Sequence, residues 1–161
     1  MSAFHEMIAR HAQPGVVAAI WLRPRRREPP RRVAAAQVGP DGLAGDHGRA
    51  GKRALTLLQA EHLPVIGAML GRGPVDAALL RRNLVVAGLN LNALKGRRLA
   101  IGTALIEITG LCAPCSRMEE ALGPGGYSAM RGHGGWCAEV IVPGEIAQGD
   151  RVAPVAQEAE V

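Results

Sequence analysis

The chain has 161 residues, a length that buries roughly 70% of the surface its unfolded form would expose and so supports one self-sufficient core. Its 48% apolar content is drawn almost wholly from Ala, Val, Leu and Ile, and the net charge of +5 is local, because Arg23 to Arg32 holds six arginines and one glutamate. A single basic loop and only four aromatics (Phe4, Trp21, Tyr127 and Trp136) argue against a nucleic-acid partner, which needs a spread basic face or stacking platforms.

In chain order, GVVAAIWL at 15–22 and VAAAQV at 33–38 have strand length and flank the Arg/Pro segment, which predicts a hairpin with a long basic tip. ALTLL at 54–58 is a further short run. From Gln59 to Leu70, Ala60, Leu63, Ile66 and Leu70 are spaced for one helix face, with Pro64 in the first turn and Gly67 as a weak point. NLVVAG at 83–88 reads as a strand. TALIEIT at 103–109 alternates Ala104, Ile106 and Ile108 against polar residues, and WCAEVIV at 136–142 places Trp136, Ala138, Val140 and Val142 on one face. IAQGDRV at 146–152 closes the series.

Helices are expected near 59–70, 75–82 and 115–131. The remainder is short strands punctuated by glycine and proline, together about a fifth of the chain, which favours a closed or nearly closed barrel over an open parallel sheet. One domain over 1–152 and a frayed tail over 153–161 are expected.

No run of about 18 apolar residues predicts a membrane span, and the charged start MSAFHEMIARHAQ is unlike a signal peptide. Three cysteines are too few for a disulfide framework, so a cytoplasmic, reducing setting is expected.

The densest chemistry lies in ITGLCAPCSRMEE at 108–120, where a strand gives way to a helix. With Pro114 at the first helical position, Cys115 falls in the first turn beside unpaired backbone N–H groups, which favour a thiolate, and Arg117 adds positive charge. Cys115 is therefore the leading candidate for a nucleophile or sulfur-bearing thiol. Cys112 and Cys115 form a C-x-x-C, but a structural zinc site needs four ligands and only Cys137 and His133 lie downstream. Cys112 reads as a resolving thiol or a space-filling residue, and Cys137, in an alternating strand, as structural.

Three other clusters offer anion binding or acid/base groups. GDHGRAGKR at 45–53 combines glycine turns with Asp46, His47 and Arg53, without the spacing of a phosphate-binding P-loop. Arg81, Arg82 and Asn83 lead into an apolar strand, and an arginine fork suits phosphate. GGYSAMRGHGGW at 125–136 is a Gly-rich lid bearing Arg131 and His133, the latter a candidate acid/base.

Taken in order, GDHGRAGKRALTLLQAEHL, LLRRNLVVAGLNLNALKGRRLAIGTALIEITG, APCSRMEE, RGHGG and IAQGDRV resemble the MOSC family, named for the C-terminal domain of molybdenum cofactor sulfurases. The resemblance covers roughly 40–152. It implies a mainly β fold with a few helices, a barrel of the pyruvate-kinase-barrel type. It also implies a cysteine, here Cys115, that carries a persulfide or contacts molybdenum. Arg81, Arg82 and Asn83 resemble the part that faces the phosphate and pterin of a molybdenum cofactor (molybdopterin), Asp46, His47, Arg53, Arg117 and Arg131 are further candidates to bind it, and reduction of N-hydroxylated compounds is one activity implied by analogy.

The chain lacks an aminotransferase-like domain and a lysine in a pyridoxal-phosphate setting, which argues against that cofactor despite its association with fused members. The expected partners are a small anionic or pterin ligand, and a cysteine desulfurase as sulfur donor or an electron-transfer protein. Three functional readings stand: a molybdenum-dependent oxidoreductase, a sulfur carrier that delivers to a metal-sulfur or molybdenum enzyme, and a non-catalytic binding module that docks a ligand or partner.

Overall fold

The computed structural model describes residues 2–156, which form eleven strands and five short α-helices. After α1 (Ala3–Ile8), which the residue pattern did not announce, β1 (Gly15–Leu22) turns through the basic segment into β2 (Arg31–Val33). The pairs Ile20 with Val33 and Leu22 with Arg31 make the expected hairpin. The run expected at 33–38 is divided by a bend at Ala34. Its second part, β3 (Ala35–Gly39), leaves the main sheet and pairs with β4 (Gly42–Leu43) and β10 (Gly144–Ala147) in a separate three-stranded sheet.

The remaining strands are β5 (Leu55–Gln59), β6 (Leu84–Ala87), β7 (Arg98–Ile101), β8 (Ala104–Leu111), β9 (Trp136–Val142) and β11 (Arg151–Pro154). Pairing runs β11-β7-β8-β9-β5-β6-β1, and β1 pairs back onto β11 through Gly15 with Val152, closing a seven-stranded barrel. Closure removes the free edges of the sheet. Only β5 and β6 are parallel, and their crossover carries α2 (His62–Met69) and α3 (Ala77–Leu80), as a parallel connection requires.

Inward positions fill the barrel with Ile20, Leu57, Leu84, Leu99, Ile106 and Trp136. A second cluster, with Leu58, Ile66, Leu80, Met118, Leu122 and Met130, packs the helices on the outside. β5 is buried on both faces, which is why it reads as a continuous apolar run rather than an alternation. In β9 the register slips between Leu105 and Ile106 of β8, and Val142 ends exposed rather than sharing the inward face of Trp136 and Ala138.

Pro64 takes its expected place in the first turn of α2. Gly67 is no weak point there: a Cβ would stand 2.0 Å from the carbonyl oxygen of Gly73, so the close approach of that chain demands glycine. The helix expected over 75–82 is cut short by the left-handed Arg81 (φ 55°). The one expected over 115–131 divides into α4 (Ser116–Leu122) and α5 (Gly126–Met130) at Gly123 and Gly125, both at φ 90°. Ala153 and Pro154, expected to fray, belong to β11, whereas residues 157–161 lie outside the described part. Among the described residues no helix is long and apolar enough to cross a membrane.

Candidate functional site

Arg23, at the end of β1, organises one outer face of the barrel. It grips Asp46 in a fork, with Nη2 to Oδ2 at 2.9 Å and Nε to Oδ1 at 3.1 Å, and its backbone N–H donates to Oδ1 at 2.6 Å. It also reaches the carbonyl of Arg81 and Oδ1 of Asn83, each at 3.4 Å. The Asp46 side chain is fully buried. Burial alone would push its carboxyl up, but the hydrogen bonds and charge of Arg23 outweigh it and hold the group below the usual carboxylate range.

Arg82 and Asn83, expected to face a ligand, are committed to the fold. Arg82 is buried and donates to three backbone carbonyls: Gly134 at 2.8 Å, Leu80 at 2.8 Å and Cys112 at 3.4 Å. Asn83 is wholly buried, accepting from the backbone N–H and hydroxyl of Thr56 and donating to the carbonyl of Trp21. The segment read as a Gly-rich lid is thereby pinned. A Cβ on Gly134 would stand 2.8 Å from the Cys112 carbonyl, which leaves no room for any other residue between this turn and the cysteine arm.

Cys115 does not sit in the first turn of α4 but is its N-cap, with extended backbone (φ −129°, ψ 179°), and Pro114 stands outside the helix. Its side chain makes no capping bond and the residue is exposed. Two residues on, Arg117 joins Arg27, Arg81 and Met118 in lining a groove of about 290 Å³ between the basic hairpin tip and α3 and α4. Arg81 crosses to the tip, donating to the carbonyls of Glu28 and Arg25. Partial burial and the nearby charges of Arg23 and Arg117 press the Arg81 guanidinium below its ordinary range, a mark of crowded positive charge. Among the described residues neither Arg27 nor Arg117 has an ion-pair partner.

The other two cysteines meet each other. The backbone N–H of Cys112 donates to the carbonyl of Gly135 at 3.0 Å, and Cys137 lies two residues further along β9, opposite Gly110. The nearness of Cys112, helped by the Arg53 guanidinium and opposed by burial, draws the Cys137 thiol down to about 6. The same nearness, joined by burial, pushes Cys112 far up. Cys137, read from its strand as structural, is buried and lies on the same face as Cys112. The signal available was the alternation of β9: with Trp136 facing the barrel interior, Cys137 must face out, toward the basic segment at 45–53.

The remaining candidates are dispersed. Arg53, exposed, serves Cys137 rather than a groove. His47 is exposed and bonds through its ring and its backbone N–H to the carbonyl of Arg23. Arg131 is an exposed C-cap of α5. His133 packs edge-on against His62, with ring centroids 4.7 Å apart, so its ring is turned to another imidazole rather than to a thiol. Burial and the proximity of His133 lower the basicity of His62.

Arg82, Asn83 and Arg23 do not form a clamp for a molybdenum cofactor. A pterin phosphate needs free donors, and those of Arg82, Asn83 and Arg23 are spent on backbone carbonyls, Thr56, Trp21 and Asp46. Among the described residues no group of three or more His, Cys, Asp or Glu is placed to hold a metal ion.

A seven-stranded barrel closed by the pairing of β1 with β11, with helices packed on its outside, defines a small closed β-barrel protein. A family model for the MOSC domain matches residues 31–153, and the chain belongs to the MOSC domain family. Its fold is similar to that of the YuaD protein from Bacillus subtilis (TM-score 0.76, 16% identity, covering 87% of this chain and 94% of that one). It is also similar to YiiM from Geobacillus stearothermophilus (TM-score 0.74, 24% identity, 89% and 76%) and to YiiM from Escherichia coli (TM-score 0.71, 21% identity, 91% and 72%). At these identities the likeness concerns the fold. No curated protein matches the chain.

Proposed function

We propose that the protein carries sulfur as a persulfide on Cys115 and hands it to a metal-sulfur or molybdenum enzyme. The observation that carries this reading is the exposed Cys115 on the extended residue before α4, two positions ahead of Arg117, which lines a groove where Arg27, Arg81 and Arg117 outnumber the one carboxylate, Glu120. In the loading step the Cys115 thiolate attacks the outer sulfur of a donor persulfide. The donor's sulfur–sulfur bond breaks, its cysteine leaves as thiolate, and Cys115 becomes the persulfide. A persulfide is anionic at neutral pH, and Arg117 and Arg27 supply the field that favours it and the acidic surface of a donor or acceptor.

Membership of the MOSC family supports a sulfur- or molybdenum-related role. The commitment of Arg82, Asn83 and Asp46 to the fold favours carriage over resident molybdenum catalysis and reduction of N-hydroxylated compounds. The test is intact-protein mass spectrometry after incubation with a cysteine desulfurase and cysteine. One added sulfur atom is expected on wild type and on Cys137→Ser, and none on Cys115→Ser. An adduct that persists in Cys115→Ser, or protein purified without oxygen that holds stoichiometric molybdenum and reduces hydroxylamines, would overturn the proposal.

A further inference from the structure

A second thiol site lies apart from Cys115. We infer that Cys112 and Cys137 form a reversible dithiol–disulfide pair, oxidised by low-molecular-weight disulfides, that covalently ties the arm leading to Cys115 onto strand β9.

The geometry comes first. The Cys112 N–H to Gly135 carbonyl bond sets Cys112 opposite Gly135, so Cys137 is its diagonal neighbour on the same face, within side-chain reach across a twisted antiparallel pair. The residue directly opposite Cys137 is Gly110, beside which a Cβ would meet nothing within 4 Å, so no side chain fills the space next to the sulfur. The nearness of Cys112 and the positive charges of Arg53 and Arg82 draw the Cys137 thiol toward its thiolate form. Cys112 is the half-buried residue and Cys137 the buried one. The C-x-x-C spacing had suggested that Cys112 serves Cys115, but the barrel turns it to a cysteine 25 positions away in sequence.

The exchange balances. The Cys137 thiolate attacks one sulfur of the small disulfide, whose bond breaks, and one small thiolate leaves. Cys112 gives its proton to that departing thiolate and attacks the Cys137 sulfur, releasing the second small thiolate. The pair loses one proton and two electrons, and one small disulfide becomes one thiol and one thiolate. The product fastens Cys112 to β9 at a point three residues before Cys115, where the chain is otherwise held by the Gly135 carbonyl and by Arg82. Thiolate formed within the pair, supported by Arg53, makes it the preferred target over an isolated cysteine.

The test is peptide mapping of the full-length protein after incubation with oxidised glutathione at pH 7, followed by alkylation in denaturant and trypsin digestion without reductant. Trypsin separates residues 99–117, which hold Cys112 and Cys115, from residues 132–151, which hold Cys137. A linked pair of these peptides is expected in wild type and in Cys115→Ser, reversed by dithiothreitol and absent from Cys112→Ser. Arg53→Gln should slow its formation by about twofold at pH 7, because a rise of about one unit from a value of about 6 lowers the Cys137 thiolate population from about 0.9 to about 0.5. A bridge within 99–117 that disappears in Cys115→Ser, or free Cys137 after exhaustive oxidation of wild type, would overturn the inference. Neither result bears on whether Cys115 accepts sulfur, which the desulfurase experiment reads separately.

Discussion

The buried guanidinium of Arg82 donates through Nη2 to the carbonyl oxygen of Cys112, 30 residues away in sequence, and through Nε to Gly134. One side chain thus joins the entry to β6, the cysteine arm and the turn before β9. Replacing Arg82 with Met removes three charge-assisted donors from buried carbonyls, and a loss of about 3 kcal/mol is expected. Urea unfolding checks it. A change within about 0.5 kcal/mol would mean that Arg82 is not a structural clamp.

The Arg23–Asp46 pair carries a pH signature. Asp46 has a carboxyl held below its unfolded value of 3.8, so its stabilisation is present above that value and is lost as pH falls through the still lower folded one. Asp46→Asn leaves Arg23 without its buried partner and should cost about 3 kcal/mol at pH 7. The gap between variant and wild type should narrow below about pH 4, read from denaturant midpoints across pH. A gap independent of pH would count against the ion pair.

Thiolate absorbance near 240 nm should rise in a step around pH 6 in wild type and in Cys115→Ser, where Cys137 deprotonates, and the step should be missing from Cys137→Ser. Arg53→Gln should move it upward, since a stabilising cation is lost. A thiol with a folded value near 6, below an unfolded value of about 8.5, adds stability that is complete above the unfolded value and lost as pH falls through 6. Cys112 works oppositely: it keeps its proton in the folded state, so stability declines as pH rises past the unfolded value.

Because Cys115 is exposed and makes no capping bond, Cys115→Ser should leave the unfolding midpoint within about 0.5 kcal/mol of wild type while abolishing sulfur loading. Arg117→Glu reverses charge in the groove. It should slow loading from a desulfurase by about tenfold at low salt, with the difference shrinking as ionic strength rises. Equal rates at low salt would show that the groove plays no part in transfer.

Strand alternation in 103–109 and the hairpin around the basic segment were legible because burial of one face imposes a period of two on neighbouring residues. The helix after β5 and the place of Pro64 were legible for the same local reason. Site residues were harder to read. Arg81, Arg82 and Asn83 have the chemistry of a phosphate clamp, yet two of them satisfy buried carbonyls and hydroxyls, and nothing in a row of polar residues says whether its partner is a ligand or the protein's own backbone. Pro114 suggested a helix two residues earlier than the chain begins it, which moved Cys115 from the first turn to the cap.

The amino-acid order alone determined a β-rich fold, its basic loop and the prominence of the Cys112–Cys115 segment, because periodicity, turn residues and charge act between near neighbours. The tertiary structure decided which sulfur meets which. Cys112 faces Cys137 and not Cys115 because the register of β8 and β9 sets that contact, and register depends on barrel closure and on where the ladder slips. Those are properties of strands brought together from distant parts of the chain.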